Sequence, residues 1–128
     1  MSDLVRVAVD AMGGDYAPVE PVKGAIEAVN ADERVKVQLV GQVDVIEKEL
    51  QKYTYPKERV EIVPATEIIE TGEPPVNAIR HKKDSSIVVG MKKVRYGEAD
   101  AFVSSGSTGA VLVGGQTIVG RIKGVERP

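Results

Sequence analysis

Two glycine-containing turns hold most of the polar groups that could do chemistry in this chain. The first runs from Asp10 to Asp15 and has Gly13 and Gly14 between the two aspartates. The glycines permit a positive φ and let a ligand approach the main chain. A strand-to-helix turn with local aspartate caps would use the same residue types. The two carboxylates could also serve a metal ion, but no further ligand accompanies them, so we expect no metal site.

The second turn follows a short apolar run and precedes a helix-like run of small residues. Hydroxyl groups and free backbone N–H groups at such a helix start can hold a phosphate group, which the helix dipole also favours. The residues considered for this role are Ser105, Gly106, Ser107, Thr108 and Gly109. The turn lacks the P-loop lysine and the Gly-x-Gly-x-x-Gly pattern. An ordinary Ser/Thr helix cap remains the alternative.

Several other chemistries are excluded by composition. The chain has 128 residues, no cysteine and one histidine, His81. A disulfide scaffold, a cysteine nucleophile and a multi-histidine metal site are therefore ruled out. His81 lies between Arg80 and Lys82, where an exposed helix position is a simpler interpretation than a catalytic base. The serines have no evident base beside them in the sequence, which weakens an acyl-serine mechanism.

Charge is distributed unevenly along the chain. The net charge of −2 and the aromatic content of 4% give no sign of a nucleic-acid binder. One segment is nonetheless basic, with Asp84 as its one acid. Its cations are Arg80, Lys82, Lys83, Lys92, Lys93 and Arg95. They form either a solvated helix face or a docking patch for an acidic partner or a phosphate-bearing ligand.

Strand-like and helix-like segments alternate along the chain and must position the two turns. Apolar, β-branched runs predict strands at residues 4–9, 35–40, 60–63 and 101–103. Helical spacing begins near Pro21, and further helices are predicted from Asp44 to about residue 52, from Asp84 or Ser85 to about residue 96, and over residues 108–119. Residues 65–75 are expected to form a long loop. This pattern predicts a three-layer α/β/α fold with a mainly parallel sheet.

Two smaller expectations accompany these elements. In the helix from Asp44, Ile46 and Leu50 are expected to face inward and Glu49 outward. No segment is long enough to span a membrane and no signal peptide is visible, so we expect a cytoplasmic protein.

Four segments together resemble one protein family. They run from Val7 to Asp15, from Glu73 to Ser86, from Gly97 to Ala110 and from Ile118 to Pro128. In this order they are similar to the N-terminal portion of the bacterial phosphate acyltransferases of phospholipid synthesis, the PlsX family. The resemblance covers nearly the whole chain, so the chain is expected to be an α/β portion of such an enzyme, with the C-terminal portion and the catalytic groups lying beyond residue 128.

The resemblance implies a reaction, partners and a fold group. Family members transfer a long-chain acyl group from acyl carrier protein to inorganic phosphate, giving acyl phosphate. Because phosphate is the nucleophile, no activated cysteine or serine is needed. No metal or organic cofactor is expected. The family implies a homodimer, peripheral contact with the inner face of the membrane, and a fold similar to isocitrate and isopropylmalate dehydrogenases and phosphotransacetylase.

The resemblance also assigns roles to residues. Asp10, Gly13, Gly14 and Asp15 would line the cleft, and the residues of the second turn would shape the phosphate site. Ser107 departs from the asparagine that is commoner in the family at this position. The basic residues of the 80–95 segment, with Arg121, Lys123 and Arg127, would dock the acidic carrier protein. Two alternatives stay open: an inactive phosphate- or carrier-binding module, and a phosphotransacetylase-like enzyme that uses acyl-CoA.

Overall fold

Four parallel strands form the central sheet of the computed structural model, which describes residues 4–120. The strands are β1 (Val5–Asp10), β2 (Val35–Gly41), β3 (Val60–Pro64) and β4 (Ala101–Val103). Their order across the sheet is β3-β2-β1-β4. β1 pairs with β2 from Val5 opposite Val35, and with β4 from Val7 opposite Ala101. The predicted positions of all four strands are confirmed to within a residue or two.

Helices cover both faces of the sheet. They are α1 (Val19–Ala31), α2 (Val43–Leu50), α3 (Pro75–His81), α4 (Ser86–Arg95) and α5 (Thr108–Gly114). A short 3-10 turn spans Lys57–Arg59, and a wider π-type turn spans Gly115–Val119. The α1 and α2 helices pack on one face, and α4 packs on the other beside α3 and α5. The predicted three-layer α/β/α arrangement is therefore confirmed.

Alternation along the strands divides the core between these two faces. Val37 and Leu39 point toward α1 and α2, while Ala8 and Val40 point toward α4. The ring of Phe102 lies against Gly90 of α4, where an added Cβ would overlap it. Burial of each large aliphatic side chain stabilises the fold by about 1.5–3 kcal/mol, so these clusters fix the strands on which the turns rest.

The starts of α1 and α2 differ from the sequence prediction. α1 begins at Val19, so Pro21 lies inside its first turn, where a missing N–H is tolerated. α2 begins at Val43, and Gln42 rather than Asp44 occupies the N-cap position. Asp44 instead lies in the first turn, where its negative charge interacts favourably with the positive end of the helix dipole.

Glu49 is buried, although the sequence pattern predicted it to face outward. It is 8% exposed, and its Oε2 lies 2.8 Å from Lys52 Nζ. The prediction was wrong because Glu49 follows Ile46 by three residues and therefore shares the buried face of α2 with Ile46 and Leu50.

The long connection after β3 ends at Pro74, close to the predicted end, but the segment after it forms α3 from Pro75, a helix that the sequence pattern did not predict. Proline at the first helical position loses no hydrogen bond, so the Pro74-Pro75 pair starts a helix rather than extending a loop. The last helix also changes type: regular α-helix ends at Gly114, and the π-type turn continues it to Val119. Among residues 4–120, none of the helices combines the length and apolar character needed to cross a bilayer.

Candidate functional site

The two glycine turns meet at the carboxyl edge of the sheet. β1 lies between β2 and β4, so the chain leaves β1 toward one side of the sheet and returns at β4 on the other. This reversal of strand order opens a crevice where parallel α/β sheets commonly bind ligands. The turn after β1 and the turn after β4 flank that crevice.

Close backbone contact joins the two turns and requires glycine at both positions of the first. A Cβ at Gly13 would lie 2.5 Å from Asp10 Oδ2 and 2.9 Å from the backbone N of Gly106. Gly14 has φ 94°, and a Cβ there would lie 3.1 Å from Ser105 Cβ. The positive φ of Gly14 agrees with the sequence prediction, whereas Gly13 is required by the close contact between the turns.

Asp10 connects the two turns to α4. Its carboxylate is 2% exposed and accepts hydrogen bonds from Ser86 Oγ at 2.6 Å and from the backbone N of Met12 at 3.0 Å, both at Oδ1. Ser104 Oγ donates to Oδ2 at 2.7 Å and accepts from the backbone N of Gly106 at 3.0 Å. Ser86 also places the carboxylate at the N-terminus of α4, whose dipole favours a negative charge. Asp10 thus holds the turns in place. The residue spacing gave no sign of its contact with Ser86.

A small polar pocket opens between the turns and the start of α1. It has a volume of about 270 Å³ and is lined by Gly13, Gly14, Asp15, Tyr16, Glu20, Pro21 and Ser105. Asp15 and Glu20 contribute two carboxylates, and none of the lining residues is a cation. An anion placed there would rely on backbone N–H and hydroxyl donors. Within residues 4–120, no three acidic, histidine or cysteine side chains converge to hold a metal ion.

The remaining residues of the second turn divide into buried and exposed groups. Ser107 is 4% exposed and caps α5 by accepting a hydrogen bond from the backbone N of Ala110 at 3.2 Å. Gly109 contacts Pro75 of α3, where a Cβ would come within 2.5 Å of the ring. Ser105 and Thr108 are exposed. The side chains available to a ligand in this turn are therefore those of Ser105 and Thr108.

Three of the basic residues predicted to dock a partner already have partners within the chain. Lys82 Nζ lies 2.6 Å from Glu73 Oε2 and donates to the carbonyl oxygen of Ile68 at 2.7 Å. Lys93 pairs with Glu98 at 3.4 Å, and Arg95 donates to the carbonyl oxygen of Ile118 at 2.7 Å.

Arg80, Lys83 and Lys92 are exposed and make no ion pair among residues 4–120. Pro75 lies beside Gly109 and Ile79 beside Gly114, so α3 and α5 run in the same direction. Arg80 therefore lies near the end of α5 and away from the turn that starts it. Arg121, Lys123 and Arg127 lie outside the described residues.

The loop between β3 and α3 is held by two carboxylates. Asp84 Oδ2 accepts hydrogen bonds from the Thr66 hydroxyl at 2.6 Å and from the Thr66 backbone N at 2.9 Å, and these bonds lower the pKa of Asp84. The Lys82 ammonium, followed by the backbone N of Glu70, lowers the pKa of Glu73. The loop thus packs onto the start of α4, which carries Ser86.

Comparisons with known proteins identify a family to which the sequence is similar. The profile of the family described as "Fatty acid synthesis protein" matches residues 5–128. A phosphate acyltransferase of Alkaliphilus oremlandii is 50% identical over 125 residues, which cover 97% of this chain and 37% of that protein. One from Clostridium beijerinckii is 51% identical over 124 residues, with the same coverage. One from Clostridioides difficile is 48% identical over 124 residues and is covered to 36%. The chain therefore spans little more than a third of these relatives.

Proposed function

The chain belongs to the family described as fatty acid synthesis protein, and from this premise we propose that it forms the phosphate-side half of the site in a phosphate acyltransferase. In the proposed reaction a phosphate oxygen bonds to the carbonyl carbon of a long-chain acyl thioester on acyl carrier protein. The carbon–sulfur bond breaks, the thiolate leaves and takes up a proton, and acyl phosphate forms. In this reaction the chain holds phosphate and the thioester carbonyl at the distance and orientation that the attack requires.

One observation carries this proposal: the two glycine turns touch at the switch point of the sheet and are fixed there by Asp10. Fixed backbone donors can stabilise the charge that develops on the carbonyl oxygen without rearranging during the reaction. Ser105 and Thr108 add exposed hydroxyls at the same place. The carboxylates of Asp15 and Glu20 oppose an anion, so we expect the isolated chain to bind phosphate weakly.

The direct test is transfer from acyl carrier protein to phosphate. Hexadecanoyl-carrier protein and phosphate are mixed with the chain, and acyl phosphate is trapped with hydroxylamine. We expect any product to depend on phosphate and to fall with Ser105→Ala, whereas Thr54→Ala, exposed at the opposite edge of the sheet, leaves it unchanged. Because the chain supplies only part of the site, its turnover is expected to lie far below that of a whole relative assayed beside it. Hexadecanoyl-CoA in a parallel reaction tests the phosphotransacetylase-like alternative. Equal loss of the acyl group with and without phosphate would refute the proposal.

A binding module without turnover is the second candidate, and the partial coverage of the relatives favours it. Groups that complete the site in a whole enzyme would be missing from such a module. Phosphate or carrier-protein binding with no acyl transfer, beside an active whole relative, would support this candidate. Transfer by the chain alone would exclude it.

The carrier protein's docking surface is proposed to include Arg80, Lys83 and Lys92, the exposed cations of the basic segment. Lys83 lies three residues before α4, and Lys92 lies in the last turn of this helix. α4 has ten residues and a length of roughly 15 Å, so the surface is extended. Resemblance to the family further leads us to propose a homodimer and peripheral membrane contact. Sedimentation velocity and co-sedimentation with anionic vesicles test these two proposals separately.

A further inference from the structure

We propose, resting on the proposed function, that the long acyl chain of the substrate lies in an apolar groove between α1 and the sheet. The groove has a volume of about 370 Å³, within the usual range for ligand pockets. Val7, Val9, Val37 and Val103 form its floor, and Gly24 and Ala28 of α1 form its wall.

The fold leaves this groove open for two reasons. α1 presents small residues to it, so the helix does not fill the space, and a Cβ at Gly24 would meet no atom within 4 Å. β4 also has no covering helix on the α1 side in residues 4–120, because α3, α4 and α5 pack on the opposite face. As a result Val103 is 54% exposed although it lies on a strand of the sheet.

The groove is continuous with the polar pocket at the glycine turns. Glu20, Pro21 and Ser105 line both spaces. A ligand with a polar head and an apolar tail can therefore place its head at the turns and its tail over the valines. The Glu20 carboxylate at this junction weakens the binding of an anionic head by the same factor at every chain length, so the dependence on tail length still reports on the groove. An acyl thioester and an acyl phosphate both have this two-part form, which a free phosphate or a short acyl group lacks.

The proposal predicts binding that strengthens with chain length. Each methylene buried in the groove should tighten binding about fourfold, until the groove is full. The probes are butyl-, octyl- and dodecylphosphonate, used below their aggregation concentrations and measured by titration calorimetry. Gly24→Phe fills the groove from α1, and Lys23→Phe adds the same ring on an exposed position of the same helix. We expect Gly24→Phe to abolish the dependence on length and Lys23→Phe to preserve it.

Circular dichroism establishes that each variant is folded. If Gly24→Phe is not folded, Val103→Asp tests the groove from the sheet, since its side chain is already half exposed. A slope with chain length that survives a folded groove variant, or no slope in the wild type, would overturn the proposal. Loss of a dimer in Gly24→Phe without any effect on phosphonate binding would assign the groove to a second copy and would also overturn it.

These outcomes are separable from those of the transfer assay. If dodecylphosphonate binds in the groove of a chain that has no transfer activity, the proposed acyl-chain site would be supported and the proposed reaction would not. If Gly24→Phe leaves transfer from both hexadecanoyl and butanoyl thioesters unchanged, the proposed reaction would be supported and the acyl-chain site in the groove would be refuted.

Discussion

Substitution of Gly13 by alanine tests whether the two turns are held together by direct contact. The new methyl group would lie 2.5 Å from Asp10 Oδ2 and 2.9 Å from the backbone N of Gly106. Neither neighbour can move freely, because the carboxylate accepts hydrogen bonds from Ser86 and Ser104 and the other atom is backbone. The turns must therefore separate by about 1 Å to restore van der Waals distances.

The cost of that separation has two parts. Overpacking in a well-filled site typically destabilises a protein by about 1–3 kcal/mol. Weakening a hydrogen bond to a buried charged group adds about 1.5–3 kcal/mol, and the bond from Ser104 to Asp10 is the one nearest the new methyl. We expect Gly13→Ala to lower the free energy of unfolding by about 3–5 kcal/mol, and Tm by roughly 10–20 °C.

The control is Gly24→Ala, in a helix with open space around the new methyl. It should raise the free energy of unfolding by about 0.5–1 kcal/mol. Denaturant unfolding followed by circular dichroism measures both variants. In the Ser104→Ala background the carboxylate can turn aside, so Gly13→Ala should cost at least about 0.5 kcal/mol less there. A Gly13→Ala variant as stable as the wild type, or strict additivity with Ser104→Ala, would refute the proposed contact.

Three further outcomes are expected from the same geometry. Hydrogen bonds from Thr66 hold the pKa of Asp84 below its ordinary value of 3.8, so the stabilisation by this carboxylate is present above pH 4 and is lost as the pH falls through the lowered pKa. The difference in Tm between wild type and Asp84→Asn should therefore be largest at neutral pH and shrink in acid. A difference in Tm that does not depend on pH would contradict this. Lys83→Glu should weaken association with carrier protein and reduce the salt dependence of that association without changing Tm. Lys82→Glu should instead lower Tm, because the ion pair with Glu73 is lost. Calorimetry at two salt concentrations measures the first effect and thermal unfolding the second, and interchanged effects would reverse the assignment. Glu20→Gln should tighten phosphate binding by roughly two- to threefold at low salt, since a like charge leaves the pocket; unchanged affinity in phosphate titrations would place the anion elsewhere.

The strands and most helix positions were predictable because they depend on short-range patterns. Runs such as Val35–Gly41 are long and β-branched enough to identify a buried strand without tertiary information. α3 was missed since two consecutive prolines indicate a break, and whether they end an element or begin one depends on the packing of the next segment in the folded chain. The position of Glu49 was predicted wrongly because its charge favoured solvent, although it lies three residues after Ile46 on the buried face of α2.

In the candidate site, too, local features were predictable from the sequence and contacts between distant residues were not. Residue types predicted both glycine turns, but Ser86 donates to Asp10 across 76 residues of sequence, a contact that no spacing rule reveals. The basic segment is the clearest case. Its six cations are equivalent in sequence, yet Lys82 is drawn into the loop by Glu73, nine residues earlier, and Arg95 by the carbonyl oxygen of Ile118. Charge clustering predicted a surface, and the fold decided which charges remain available on it.

Asp10 shows why a residue beside the crevice need not take part in the chemistry. A carboxylate can accept about four hydrogen bonds, and three acceptor positions are already used by Ser86, Ser104 and the Met12 backbone. It is buried, so a ligand would have to displace one of these donors to reach it. A phosphate nucleophile is already anionic and needs no strong base to activate it. The proposed reaction therefore requires only that the hydrogen bonds of Asp10 keep the two turns fixed.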